Sequence, residues 1–177
     1  IFVSQGYYPI KGLHYMLEAL GDIRKFYPDA RLRVAGGVSL NNAGLKNRLK
    51  QKNYQRYLAE LIEKYSLAGC VEFLPPLKAD EMKKMYLKSN VFVSPSSIEN
   101  SPNSLGEAMM LGVPCVSSLV GGVGNMLING AEGFTYQHDA PYMLAYYVME
   151  IFRLQEENRR QLEDMTDMAH SHAMRLF

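Results

Sequence analysis

Short runs rich in Val, Ile and Phe alternate along the chain with longer stretches whose apolar residues recur every third or fourth position. The short runs fall at 1–5, 31–35, 71–74, 91–94, 114–117 and 133–136. Continuous apolar runs of that length predict strands buried on both faces, and the amphipathic stretches between them predict crossover helices. In the first such stretch Leu13, Met16, Leu17, Leu20, Ile23 and Phe26 keep helical spacing, and Pro28 predicts the stop. Residues 47–65 are the most polar predicted helix, with Tyr57, Leu58, Leu61 and Ile62 as its core stripe. Asp80 is expected to cap a short helix through Tyr86, and Ser101, ahead of Pro102, another through Leu111. From Ala140 the pattern is helical to the end, as two helices meeting near 155–158. This alternation predicts an α/β domain with a doubly wound parallel sheet of about six strands and flanking helices.

Ligands of such sheets bind outside the carboxyl ends of the strands. The segments that matter are therefore 6–12, 36–37, 75–76, 95–103, 118–124 and residue 137. Composition narrows the reading further. Of the 177 residues 47% are apolar and 21% charged, which suits a globular fold. Nineteen basic against eighteen acidic residues leave a net charge of +1, so no overall field invites nucleic acid or an anionic membrane. The Lys and Arg residues form no single reading stripe, which excludes a helix-turn-helix. Cys70 and Cys115 each sit in an apolar run and read as reduced core thiols, hence a cytoplasmic setting. No run approaches the roughly 20 apolar residues of a membrane span. The chain opens on a strand without Met and stops on a helical pattern, so it is expected to be one domain, 1–177, cut from a longer protein.

The densest chemistry lies in SPSSIENSPNSLGEAMMLGVPCVSSLVGG, residues 94–122. Glu99 and Glu107 are separated by seven residues, with Pro102 between them. Glu99 falls in a loop and Glu107 on the following helix, whose first-turn N–H groups, at Asn103 and Ser104, favour an anion. The pattern predicts a phosphate site flanked by two carboxylates. With Leu105, Ala108, Met109 and Leu111 around it, Glu107 is expected to be partly buried and to need a partner. Lys11 opens a predicted helix, where a cation opposes the dipole, so its place asks for a functional reason.

E-x7-E followed by A-M-x-x-G-x-P and S-x-x-G-G resembles the donor-binding domain of retaining GT-B glycosyltransferases, family 4. SQGYYPIKGLHYMLEAL, RLRVAGG and GAEGFTY resemble that family's opening block, second strand and later Gly-rich segment, in the same order over nearly the whole chain. The resemblance implies a Rossmann-like sheet forming one half of a GT-B fold, the acceptor-binding domain lying elsewhere. It implies sugar transfer from a nucleotide-diphosphate sugar to a hydroxyl acceptor, a saccharide or lipid-linked saccharide, with retention. Glu107 would accept hydrogen bonds from the ribose, while Glu99 would lie beside the donor sugar. Lys11 would neutralise the diphosphate, and Asn103 and Ser104 would hold its distal phosphate. Gly121 and Gly122 match the glycine pair near the donor pocket, and the loop glycine Gly6 also falls at the donor. Backbone groups at 36–37 and 74–77 are expected to meet the base. Peripheral membrane contact would come through the other domain.

Two departures from the family pattern stand out. The family's arginine beside the first loop glycine is absent, since Gln5 and Gly6 stand there. Its Gly-Phe-Gly-Leu is replaced by Asn100, Ser101, Pro102 and Asn103, so Pro102 withdraws an amide, for which the side chains of Asn100, Ser101 and Ser104 are available donors. No Asp-x-Asp pair occurs, and His138, His170 and His172 lack metal-ligand spacing, so neither metal nor cofactor is expected. The segment GGVGNM lacks the G-x-G-x-x-G of a dinucleotide fold. His14 reads as a helix-surface residue, and Met143, Met149, Met165 and Met168 as core filling. A nucleotide-sugar epimerase-like isomerase, or a non-catalytic nucleotide-sugar-binding module, remains as the alternative reading.

Overall fold

The computed structural model describes residues 1–4, 8–36 and 53–177. Six strands form one parallel sheet: β1 (Phe2–Ser4), β2 (Leu32–Ala35), β3 (Val71–Phe73), β4 (Phe92–Ser94), β5 (Cys115–Ser118) and β6 (Phe134–Tyr136). Their order is β3-β2-β1-β4-β5-β6. The order reverses between β1 and β4, where Phe2 pairs with Phe92. Such a reversal leaves a crevice at the carboxyl ends, because the loops from the two central strands turn to opposite faces.

Period-two alternation sorts the strand residues onto two faces. Val3, Val93 and Val116 point into a core with α1 (Leu13–Phe26), α2 (Asn53–Lys64) and α6 (Pro141–Glu157). Phe2, Phe92 and Cys115 point the other way, toward α3 (Ala79–Leu87), α4 (Asn103–Met110) and α7 (Arg159–Leu176). Leu13, Met16, Leu17, Leu20 and Ile23 of α1 are fully buried, each contributing roughly 1.5–3 kcal/mol of transfer free energy. The helix ends at Tyr27, just before Pro28, and Arg24 and Lys25 complement the dipole of its last turn. Asn158 separates α6 from α7 and caps the latter by accepting from the Gln161 N–H at 3.3 Å.

Several expectations need correction. Tyr57 and Met168, read as core, are exposed, Cys70 is only half-buried, and Phe26, in helical register with the buried stripe of α1, is 72% exposed. These positions sit where helical spacing or a strand end runs past the edge of the covering layer. Helix α3 starts one residue ahead of Asp80, and its cap is Lys78, whose N–H donates to the Glu81 carboxylate at 2.8 Å. Helix α4 is capped by Pro102 rather than Ser101, with no side-chain cap. The Pro102 carbonyl accepts the Leu105 N–H at 2.9 Å, so the proline closes the first turn from outside. Inside the segment read as a Gly-rich loop lies the one-turn helix α5 (Val123–Met126), with Val123 and Met126 buried. The predicted helix portion 47–52 lies outside the described residues.

Candidate functional site

Three loops meet over the β1/β4 reversal, and among the described residues backbone packs directly on backbone where they cross. After β1 the chain makes a 3-10 turn, Pro9–Lys11, ended by Gly12 at φ +72°. Lys11 therefore closes this turn and does not open α1 as expected; the left-handed Gly12 separates the two. A Cβ on Gly12 would fall 1.7 Å from the Pro95 carbonyl oxygen, so the loop after β4 rests directly on it. The Ser97 N–H donates to the Ile10 carbonyl at 2.7 Å. On the other side, a Cβ on Gly121 (φ +51°) would fall 1.6 Å from the Glu99 carbonyl oxygen. Gly122 donates its N–H to the Asn100 carbonyl at 2.7 Å. The glycine pair thus seats the segment that carries Glu99.

Within this seat the Lys11 ammonium pairs with the Glu99 carboxylate, which is 14% exposed at the side chain. The same Glu99 oxygen accepts the Ser96 hydroxyl at 2.9 Å. Ser96 is fully buried, and its carbonyl accepts the Ser118 hydroxyl from the end of β5. A cation, a hydroxyl and two glycine-backed loops fix one carboxylate.

Glu107 has a different setting. It is the fifth residue of α4 and is exposed, not partly buried as its apolar neighbours suggest, because those neighbours point across the helix into the core. Its partner is Tyr86, whose hydroxyl lies 3.0 Å from Glu107 Oε2 and 3.1 Å from the Ser104 carbonyl. Burial first, then the adjacent Glu107 carboxylate, pushes the Tyr86 hydroxyl above the ordinary tyrosine range, so it stays protonated and donates. Glu107 and Tyr86 line a cavity of about 740 Å³ outside the ends of β1 and β2, with Ser4, Ala35, Gly36, Pro76, Leu77, Met82 and Lys83. That volume lies within the usual range of small-molecule pockets.

The structure therefore gathers the sequence-nominated residues in two groups. Lys11, Glu99, Gly121 and Gly122 meet at the crossing of loops, whereas Glu107, Gly36 and Leu77 share the cavity. Asn103 and Ser104 occupy the first turn of α4, where N–H groups have no intrahelical acceptor, and Ser101 is exposed just ahead of it. Gln5, Gly6 and Gly37 lie outside the described residues. Tyr86 and Ser96 were not nominated by sequence; the available signal was a buried hydroxyl that needs a partner. His14 is half-buried between α1 and α2 rather than on a free surface, with Nδ1 3.0 Å from the Tyr54 hydroxyl, and burial lowers its pKa.

A doubly wound parallel sheet with its crevice at the reversal, and two carboxylates beside it, defines the class: a Rossmann-like α/β domain that takes its ligand at the carboxyl ends of the strands. Residues 1–166 match the family of glycosyl transferases group 1, and the chain belongs to that family. It is 28% identical over 168 residues to D-inositol 3-phosphate glycosyltransferase of Corynebacterium urealyticum, covering 94% of this chain and 37% of that protein. It is 32% identical over 131 residues to the putative colanic acid biosynthesis glycosyltransferase WcaL of Escherichia coli, covering 70% of this chain and 29% of the relative. Sucrose-phosphate synthase from Thermosynechococcus elongatus shares the fold, with a TM-score of 0.80 at 22% identity, over 99% of this chain and 41% of that one. Anabaena HepE in complex with UDP-glucose superposes with a TM-score of 0.79 at 20% identity, over 98% of this chain and 44% of that one. The chain spans well under half the length of these relatives. Among the described residues no helix is long and apolar enough to cross a membrane.

Proposed function

We propose that this chain is the donor-binding half of a retaining glycosyltransferase, taking a nucleotide-diphosphate sugar and passing the sugar to a hydroxyl acceptor. The observation that carries the reading is the pairing of Glu107 with a cavity at the crevice while Lys11 and Glu99 meet beside it. Glu107 holds the ribose hydroxyls. The diphosphate lies against the first-turn N–H groups of Asn103 and Ser104, where the helix dipole favours an anion. Lys11 offsets the charge that develops on the diphosphate as the glycosidic bond breaks. Glu99 faces the donor sugar, its orientation set by Ser96 and by the glycine-seated loop. Phosphate binding by a lysine and amides needs no metal ion. A further domain supplies the acceptor wall, consistent with the 37% coverage of a longer relative, and brings any peripheral contact with a membrane. The acceptor is a saccharide or a lipid-linked saccharide, and cytoplasmic enzymes of polysaccharide or glycoconjugate synthesis have this chemistry.

Titration calorimetry of this chain with UDP, GDP and ADP, in EDTA, tests the reading. One of the three should bind, and more weakly as salt rises, since screening acts on the charge attraction. Turnover with an acceptor should be absent until the remainder of the enzyme is present to exclude water. A strict metal requirement would overturn the lysine-and-amide site, and acceptor-dependent transfer by this chain alone would overturn the half-enzyme assignment.

A further inference from the structure

We infer that Tyr86 is a positioning residue whose hydroxyl holds the Glu107 carboxylate ready for the ribose of a nucleotide entering the cavity. The inference rests on the proposed role of Glu107. Glu107 stands exposed on α4, and a free glutamate there would sample several rotamers. Tyr86, from the last turns of α3, is 1% exposed. Its ring lies edge-on to Phe2 at 5.1 Å and to Phe92 at 5.2 Å, so the core of β1 and β4 fixes where the hydroxyl points. That hydroxyl reaches two acceptors one turn apart on α4, the Ser104 carbonyl and Glu107 Oε2. The carbonyl alone would satisfy a buried hydroxyl. The hydroxyl has one proton for the two acceptors, and the share it gives to the charged carboxylate is what restrains Glu107. Tyr86 and Glu107 line the same cavity, so the restraint acts where a ligand arrives. Orientation set by the fold before binding lowers the ordering cost that binding must otherwise meet.

The test uses whichever of UDP, GDP and ADP binds most tightly, together with its 2′,3′-dideoxy counterpart. Calorimetry on the wild type, Tyr86→Phe, Glu107→Ala and the double variant reads the preference for the ribonucleotide. Tyr86→Phe keeps the ring packing and should weaken the ribonucleotide about three- to tenfold while leaving the dideoxy form unchanged. The double variant should lose no more than Glu107→Ala alone, which is the signature of two residues acting as one unit. A purely structural role for Tyr86 would weaken both ligands equally, and that outcome overturns the inference. Loss of the preference in Glu107→Ala but not in Tyr86→Phe would overturn it too, while leaving the ribose role of Glu107 intact. An unchanged preference in Glu107→Ala, or no binding of any of the three nucleotides, would remove that role and the inference with it. Should Tyr86→Phe unfold, Glu107→Gln decides. Its amide oxygen still accepts from Tyr86, so it should keep more ribonucleotide preference than Glu107→Ala, and equal loss in the two overturns the inference.

Discussion

Glu99 and Glu107 are near neighbours in sequence, yet Glu99 rides on a loop seated backbone against backbone, with Lys11 and Ser96 on its carboxylate, while Glu107 stands on a plain helix beside one tyrosine hydroxyl. Around Glu99, Gly12 lies under the Pro95 carbonyl and Gly121 under that of Glu99 itself, closer than any Cβ allows. Around Glu107 the backbone is an ordinary helix, and among the described residues the Tyr86 hydroxyl alone restrains the carboxylate. Where backbone packs on backbone, the sequence has no latitude and damage should appear as lost stability. Where one hydroxyl does the holding, damage should appear as lost affinity in a protein that still folds.

The sharpest test of that contrast is Gly121→Ala. Its left-handed φ of +51° and the Glu99 carbonyl at 1.6 Å should together remove about 3 kcal/mol or more, read as a fall in urea midpoint. Gly130→Ala is the control: it is equally left-handed (φ +79°) but has nothing within 4 Å, and should lose only about 1 kcal/mol. Equal losses would mean that the loop crossing yields freely. Next in size, Glu107→Ala should weaken nucleoside diphosphate binding by about 1.5–3 kcal/mol, as for a lost hydrogen bond to a charged group. Its unfolding midpoint should stay near that of the wild type; a fall as large as that of Gly121→Ala would erase the distinction. Glu99→Gln in the full-length enzyme should cost about 1.5–2 kcal/mol in turnover while leaving bare nucleoside diphosphate affinity within about twofold. Equal effects on nucleotide and nucleotide-sugar would exchange or cancel the two roles. Smallest of all, Ser96→Ala removes a donor from Glu99 but leaves Lys11 in place, and should lower turnover by about 0.5–1.5 kcal/mol with no change in nucleotide affinity.

The sheet was legible because its strands are short, apolar on both faces and separated by helical periodicity; each of the six runs holds a strand. Errors gathered at edges. Periodicity reports which side of a helix is apolar, not how far the neighbouring layer extends, and so Tyr57 was placed in a core that stops short of it, and Phe26, though in helical register with the buried stripe of α1, is exposed. Helix α5 was hidden because two glycines ahead of Val123 and one after it outweigh a single turn of helix. At the site, spacing brought out Glu99 and Glu107, while Lys11 was singled out by its expected place at a helix start, which it does not occupy, and by the resemblance. The partners are another matter: Lys11 reaches Glu99, and Tyr86 reaches Glu107, from distant parts of the chain. No local pattern encodes such meetings, because the strand order creates them.

The reversal at β1 and β4 also has a meaning for folding. Strands β1, β2 and β3 lie in sequence order on one side of the seam, and β4, β5 and β6 on the other. Each half is assembled through successive crossovers, whereas the seam joins Phe2 to Phe92. Loop-closure entropy makes this the pairing with the largest closure cost in the sheet. The cavity takes Ser4 and Gly36 from one half and Tyr86 and Glu107 from the stretch that leads into and follows β4, so it exists only once the seam has closed. A nucleotide lodged there would bridge both halves and bind only the finished sheet. By mass action it would then raise the free energy of unfolding with the logarithm of its concentration, acting as a clasp on the least local joint of the fold.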